Sequence, residues 1–112
     1  MGSHSSLSRL SAVELRALVR ARKVSPVEIL DAHLAAIARF NPTFNAIVTL
    51  VEDQARAAAK KAEDGDGEGM PLHGLPVVIK DVTLTRGIRT TFGSPLYKDF
   101  VPDEDAAVVE RL

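Results

Sequence analysis

The N-terminal part of the chain carries apolar residues at helical spacing between polar ones. Ser11 and Glu14 form the Ser-x-x-Glu pattern of a capping box, which predicts a helix from about Ala12 to Arg22. The apolar stripe of this predicted helix consists of Leu15, Leu18 and Val19. A narrow stripe of this kind is typical of a helix that packs against the rest of a fold with one face.

A second helix is predicted from the same start signals. Ser25 and Glu28 form another capping box, and Pro26 occupies the first helical position, where its missing N–H costs little. The helix is predicted to end at Asn41-Pro42, because proline disfavours the continuation of a helix. Its apolar residues share one face and are Val27, Leu30, Leu34 and Ile37.

Beyond the second helix, the pattern changes to short apolar runs and one alanine-rich segment. Residues 46–51 predict a strand, residues 52–63 predict a helix, and residues 77–79 predict a second strand that is buried on both faces. A last helix is predicted to start at Asp103 or Asp105. The predicted fold class is therefore mixed α/β, with two N-terminal helices that precede a sheet containing residues 77–79 and pack on it.

Composition and charge narrow the range of functions. The chain has 112 residues, a formal net charge of -1 and no cysteine. This charge gives no strong field for nucleic acid or acidic lipid, and without cysteine there is no disulfide, thiol nucleophile or thiolate metal site. No apolar run reaches membrane-spanning length and no signal peptide is evident, so a cytoplasmic location is expected. Residues 1–9 are expected to be a disordered tail or a tag remnant, and residues 64–69 a flexible acidic linker.

The most distinctive chemical feature is a lysine at the end of the second predicted strand. Pro76 precedes the apolar residues 77–79, and Lys80 follows them where the predicted strand leaves the core. Removal of water from a lysine favours the neutral amine, which can accept a proton and act as a base. The alternative is a strand-end lysine whose ammonium group extends into solvent. Asp81, the next residue, is expected either to hold the strand end by hydrogen bonds with the backbone or to be solvated.

Three motifs around and after this lysine follow one another in a defined order. They are Gly74-x-Pro76-Val77-x-Ile79-Lys80-Asp81, then Thr91-x-Gly93-Ser94, then Asp105-Ala106-x-Val108-Val109-x-x-Leu112. Upstream, Ser25-Pro26-Val27-Glu28 and Asn41-Pro42-x-x-Asn45-Ala46 belong to the same pattern. In order and spacing these motifs resemble the amidase signature family. The resemblance implies that residues 10–112 are the N-terminal part of an amidase domain, in which a large mixed sheet is layered between helices.

Members of this family hydrolyse amides with a serine nucleophile, a second serine in a cis peptide, and a lysine. The resemblance assigns Lys80 as the catalytic lysine, the base that finally accepts the proton of the nucleophile. The two family serines lie downstream of the lysine in glycine-rich and serine-rich stretches, and no serine of this chain has such a setting. Ser94 matches the turn motif instead. The chain is therefore expected to supply only the lysine and to be inactive alone.

Three functions stay open at this point. The leading one is an amidase that converts a small carboxamide to a carboxylate and an amine or ammonia, without cofactor or metal and compatible with a homodimer. The second is the glutaminase subunit of a tRNA-dependent amidotransferase, a branch of the same family that requires tRNA and a partner subunit. The third, from a different class, is a non-catalytic helical interaction module, suggested by the alanine-rich helix and the apolar face formed by Val108, Val109 and Leu112.

Overall fold

A computed structural model describes residues 6–65 and 67–112. Its main helices, in chain order, are α1 Ala12–Arg20, α2 Pro26–Phe44, α3 Glu52–Glu63, a short 3₁₀-helix Pro95–Tyr97, and α4 Ala107–Glu110. The chain forms two compact units. The first unit contains the described residues up to Ile47 together with Val51–Pro76, and the second contains Val48–Leu50 together with Val77–Leu112.

The predicted starts of α1 and α2 are confirmed. The Glu14 N–H donates to the Ser11 hydroxyl oxygen at 3.2 Å, and the Ser11 N–H donates to the Glu14 carboxylate at 2.8 Å. Ser25 and Glu28 make the same reciprocal pair, at 3.1 and 2.9 Å. Local side chains thus satisfy two backbone donors at each helix start, which is why both helices begin where the sequence predicts.

The end of α2 lies beyond the predicted one, because Pro42 does not stop the helix. The helix continues to Phe44, and Asn45 ends it in a left-handed conformation with φ of 48°. The Asn41 side chain donates to the Ile47 carbonyl and accepts from the Ile47 N–H, both at 2.9 Å. A proline removes one helical hydrogen bond, and the two Asn41 bonds stabilise the turn that follows it.

The core of the first unit is formed mainly by α1 and α2. Ile29 is fully buried, and the other buried residues of this cluster are Leu7, Leu15 and Ala32. On the apolar face predicted for α2, Leu30 and Leu34 are buried. Ile29 is not on that face, so α2 buries a wider surface than a single stripe. Of the tail expected over residues 1–9, residues 1–5 lie outside the described part of the chain.

The alanine-rich helix α3 packs on α2, and its most specific contact is polar. Arg56 donates to Asp31 of α2 at 2.5 Å and to Glu52 of α3 at 3.0 Å. No residue of α3 is buried, and the small alanine side chains bring little apolar area to the contact. Exposed ion pairs of this kind contribute about 0–1 kcal/mol, so they add little to the attachment of α3.

Hydrogen bonds within the first unit hold the end of α3 and the backbone that follows it; Asp66 lies outside the described residues. His73 Nε2 lies 2.9 Å from the Ala62 carbonyl oxygen. The Arg16 guanidinium donates to the carbonyls of Gly67 and Met70 at 3.1 and 3.2 Å. Composition alone predicts a flexible linker here and gives no sign of these contacts, because their partners are distant in sequence.

The predicted mixed α/β fold is wrong for this chain, because the described residues contain no β-strand. Residues 46–51 form bends and irregular backbone, and residues 77–80 have no regular secondary structure. Val77 and Val78, predicted to be buried on both faces, are 61% and 75% exposed. A strand requires the backbone donors and acceptors of a neighbouring strand, and no described segment supplies them for residues 77–79. The described chain is helical with long irregular segments.

The second unit consists mostly of irregular backbone that hydrogen bonds connect. The N–H groups of Gly87 and Thr90 donate to the carbonyls of Pro102 and Phe100, each at 3.0 Å. Thr90, which donates one of these bonds, is 2% exposed. This segment therefore has defined contacts although it contains little regular structure.

The last helix starts later than predicted. Asp105 does not cap it, because its carboxylate accepts a hydrogen bond from the Arg86 N–H at 2.7 Å. The helix α4 begins at Ala107, and the residue at its cap position, Ala106, has no side chain that could bond the helix start. A capping residue works only when its side chain is free to turn back on its own helix, and Asp105 is engaged elsewhere.

Candidate active site

Lys80 lies in the second unit and is exposed. Its backbone carbonyl accepts a hydrogen bond from the Thr83 N–H at 2.9 Å, which closes a turn directly after it. Within residues 6–65 and 67–112 its ammonium group forms no ion pair or hydrogen bond. The described residues thus leave the amine accessible, but they do not remove water from it as a neutral base requires.

Asp81 is bound by both polar groups of a single threonine. The Thr91 N–H donates to Asp81 Oδ1 at 2.8 Å, and the Thr91 hydroxyl donates to Asp81 Oδ2. The Phe92 N–H donates to the Asp81 carbonyl at 2.9 Å. The Thr91 hydroxyl bond, the Thr91 N–H bond and the Arg89 charge lower the pKa of Asp81, because each stabilises the carboxylate. Asp81 is therefore an anchored residue rather than a solvated one.

Thr91 opens a turn that further hydrogen bonds fix. The Ser94 N–H donates to the Thr91 carbonyl at 3.0 Å, and the Gly93 N–H donates to Thr91 Oγ1 at 3.3 Å. Phe92 and Gly93 both have left-handed backbones, with φ of 54° and 65°. This conformation is unfavourable for phenylalanine and persists only where surrounding contacts hold it, which is common at functional sites.

An aromatic cluster stabilises the turn. Ring centroids lie 5.1 Å apart for Phe92 and Tyr97, 5.9 Å for Tyr97 and Phe100, and 6.2 Å for Phe92 and Phe100. Aromatic pairs in such geometries contribute about 0.5–1.5 kcal/mol beyond the area that they bury. The cluster therefore offsets the backbone strain at Phe92 and keeps the neighbouring Thr91 in place.

The guanidinium of Arg89 connects three parts of the second unit. It donates to the Lys98 carbonyl at 2.9 Å and to the Val48 carbonyl at 3.1 Å. The planar group can serve two acceptors at once, which a lysine ammonium does with less directional control. Arg89 also contributes favourable charge near Asp81.

Gly74, the first residue of the lysine motif, meets a steric requirement in the first unit. Its φ is +78°, and a Cβ built there would lie 3.0 Å from Pro26 Cγ and 3.3 Å from Val19 Cγ1. Any other residue would bring both backbone strain and a close contact. The motif therefore requires glycine at this position for packing, independently of chemistry at Lys80.

Three serine hydroxyls serve helix starts. Ser11, Ser25 and Ser94 each accept a backbone N–H, at 3.2, 3.1 and 3.3 Å. Across the described ranges, no group of three or more histidines, aspartates or glutamates could hold a metal ion. In the same ranges, every helix is too short or too polar to traverse a bilayer.

The sequence points to Lys80 as a candidate but does not show the hydrogen bonds of Asp81, the residue that follows it. The structure brings Thr91 to Asp81, across ten positions of sequence. The only available signal was that both residues belong to matched motifs, which does not show that they touch. The side chains that organise the segment after Lys80 are therefore Asp81, Thr91 and Arg89.

Comparison with known proteins identifies the class to which this segment belongs. The family model described as Amidase matches residues 28–112, which is most of the chain. The chain belongs to the amidase family.

Individual relatives carry a more specific name. The chain is 44% identical to the A subunit of glutamyl-tRNA(Gln) amidotransferase from Granulibacter bethesdensis over 110 residues, which cover 96% of this chain and 22% of that protein. It is 40% identical to the corresponding protein of Methylococcus capsulatus, which has the same name, over 108 residues, with 95% and 22% covered. The chain thus spans 22% of the length of these two relatives.

Proposed function

We propose that the complete protein hydrolyses a carboxamide through an acyl-serine intermediate, and that this chain supplies Lys80 as the base. The proposal rests on one combination of observations. The chain belongs to the amidase family, and the residue in its lysine motif has an accessible amine on an anchored backbone. A solvated lysine would be exposed as well, so the position of Lys80 in the family's lysine motif carries the proposal.

In the proposed reaction, the neutral Lys80 amine accepts a proton that the cis serine relays from the nucleophilic serine. The freed serine oxygen attacks the amide carbon, and the C–N bond then breaks. The leaving amine takes the proton back along the same route. Water then attacks the acyl ester, gives one proton to Lys80 through the relay serine, and releases the carboxylic acid as the nucleophilic serine is reprotonated.

This chemistry requires more than the present chain. Lys80 is exposed here, so the water-poor surroundings that favour a neutral amine would come from other parts of the complete protein. The two serines would come from there as well, because the serines of this chain have no glycine-rich and serine-rich setting. A base without its nucleophile cannot form the acyl intermediate, so the chain alone is proposed to be inactive.

Hydroxylamine trapping tests the acyl intermediate directly. In the complete protein, hydroxylamine should compete with water for the acyl group and yield a hydroxamate from the carboxamide substrate. Lys80→Ala should lose both hydrolysis and hydroxamate formation. Thr43→Val, at an exposed position of α2, should lose neither. Amide hydrolysis that continues at high hydroxylamine concentration with no hydroxamate would contradict the intermediate.

A second function is favoured by the names of the relatives. Both of them are A subunits of glutamyl-tRNA(Gln) amidotransferase, and each matches nearly the whole chain. In that role the amide would be glutamine, and the reaction would require tRNA and a partner subunit. Assays of ammonia release with and without those partners separate the two functions. A general amidase hydrolyses simple amides alone, whereas the amidotransferase subunit prefers glutamine and responds to its partners.

A further inference from the structure

The residue after Lys80 is bound more extensively than Lys80 itself. Both carboxylate oxygens of Asp81 and its backbone carbonyl accept hydrogen bonds, and the donors are the consecutive residues Thr91 and Phe92. The Lys80 carbonyl accepts from the Thr83 N–H at 2.9 Å. The backbone that carries the lysine side chain is therefore attached at two successive carbonyls and at the side chain between them.

Thr91 is also fixed in orientation. Its hydroxyl donates to Asp81 and accepts from the Gly93 N–H at 3.3 Å, so rotation of the side chain would break two hydrogen bonds. Its neighbour Phe92 has a left-handed φ of 54° and packs in the aromatic cluster. Strain of this kind is retained where a particular geometry is needed.

An anchored backbone fixes the point from which the lysine side chain starts. Lysine ends in a compact charge on a flexible four-carbon stem, so the amine position depends on where the stem leaves the backbone. In reactions that depend on orientation, a displacement of about 1 Å can cost on the order of 10²-fold in rate. Hydrogen bonds that fix residues 80 and 81 would therefore affect turnover without contacting substrate.

We propose that Asp81 and Thr91 are positioning residues, which fix the backbone at Lys80 and thereby the direction from which its amine meets the relay serine. This inference rests on the proposed function of Lys80. Asp81 and Thr91 act through the lysine and contact neither the substrate nor the reacting atoms. The lowered pKa of Asp81 agrees with this role, because the carboxylate that accepts both Thr91 bonds stays ionised to a lower pH than an ordinary aspartate does.

Three threonine variants of the complete protein test the proposal. Thr91→Val removes the hydroxyl and keeps the shape, whereas Thr91→Ser keeps the hydroxyl. Thr85→Val is the matched control, because the Thr85 hydroxyl makes only a long bond, 3.4 Å, to the Thr83 carbonyl. Thr91→Val should lower kcat by about 10- to 100-fold and change KM by less than about 3-fold. Thr91→Ser should restore most of kcat, and Thr85→Val should match the parent.

Asp81→Asn tests the same contact by changing the residue that accepts the hydrogen bonds. The amide replaces one acceptor oxygen with an NH₂ group, which cannot accept from either Thr91 donor. It should reduce kcat selectively, as Thr91→Val does. All variants are assayed at a temperature at which circular dichroism shows them to be folded, so that a loss of kcat does not reflect unfolding.

Two outcomes would overturn the positioning role. One is a folded Thr91→Val or Asp81→Asn protein with the kcat of the parent. The other is a Thr91→Ser protein as impaired as Thr91→Val, since the loss would then come from packing. Lys80→Ala is assayed in the same experiment and distinguishes a failure of the positioning role from a failure of the proposed function. An active Lys80→Ala protein refutes the function of Lys80, whereas an inactive one beside a fully active Thr91→Val refutes positioning alone.

Discussion

Thr91 donates its N–H and its hydroxyl to the two carboxylate oxygens of Asp81, ten residues earlier in the chain. These bonds join the Lys80-Asp81 segment to the Thr91-x-Gly93-Ser94 turn, so two motifs that follow one another in sequence also touch in space. A carboxylate with two such donors is held firmly in its charged form. The contact shows that the residue after Lys80 is bonded to the turn motif, which the order of the motifs in sequence does not reveal.

The first prediction concerns the titration of Asp81. Because the pKa of Asp81 is lowered in the folded chain, its contact with Thr91 stabilises the fold at pH values above the unfolded-state pKa of about 3.9. That contribution to stability is lost as the pH falls through the lower pKa that Asp81 has in the folded chain. Carboxyl-carbon NMR should therefore give Asp81 a midpoint below the unfolded value, and Thr91→Val should raise it. The backbone N–H of residue 91 and the charge of Arg89 remain in that variant and keep part of the shift.

The control for this titration is Thr85→Val, which should leave the Asp81 midpoint where it is in the parent. An Asp81 midpoint that does not move in Thr91→Val would contradict the hydrogen bond from the Thr91 hydroxyl to Asp81.

A second prediction concerns the glycine of the lysine motif. Gly74→Ala should destabilise the first unit by about 1–2 kcal/mol, because alanine disfavours the left-handed backbone at this position. The close contact of the added Cβ with Pro26 should add a further loss. Gly69→Ala is the matched control, because its φ is +72° and no atom lies within 4 Å of the added Cβ. Urea unfolding should show a larger loss for Gly74→Ala. Equal midpoints for the two variants would contradict the close packing at Gly74.

A third prediction is that the 112-residue chain alone hydrolyses no amide. Its serines include no nucleophile in a catalytic setting, and three of them already serve helix starts. The measurement is the release of amine or ammonia from aryl and aliphatic amides, with the complete protein as the positive control. Turnover by the purified chain that a serine-directed reagent abolishes would refute the prediction.

Local signals predict the starts of α1 and α2 correctly, because the groups involved are three residues apart. Ser11 with Glu14, and Ser25 with Glu28, form their capping boxes without help from distant residues. The lysine motif was also found from sequence, since its residue types and spacing are contiguous. These features depend on the local chain alone.

The predictions that failed depend on distant partners. Val77 and Val78 have the composition of a buried strand, yet burial and pairing need neighbours that the described chain does not provide. Asp105 has a side chain suited to a helix cap, but its carboxylate accepts a hydrogen bond from the Arg86 N–H instead. The contact of Asp81 with Thr91 likewise depends on a turn geometry that the sequence does not reveal.

The most direct test of the central claim compares Lys80→Arg with Lys80→Ala in the complete protein. A positioned base contributes on the order of 10²–10⁴-fold to turnover, and arginine cannot give up its proton at working pH. Both variants should therefore lose activity to a similar extent while their thermal midpoints match the parent. If Lys80→Arg instead keeps most of the parent turnover at unchanged thermal stability, Lys80 is not the base.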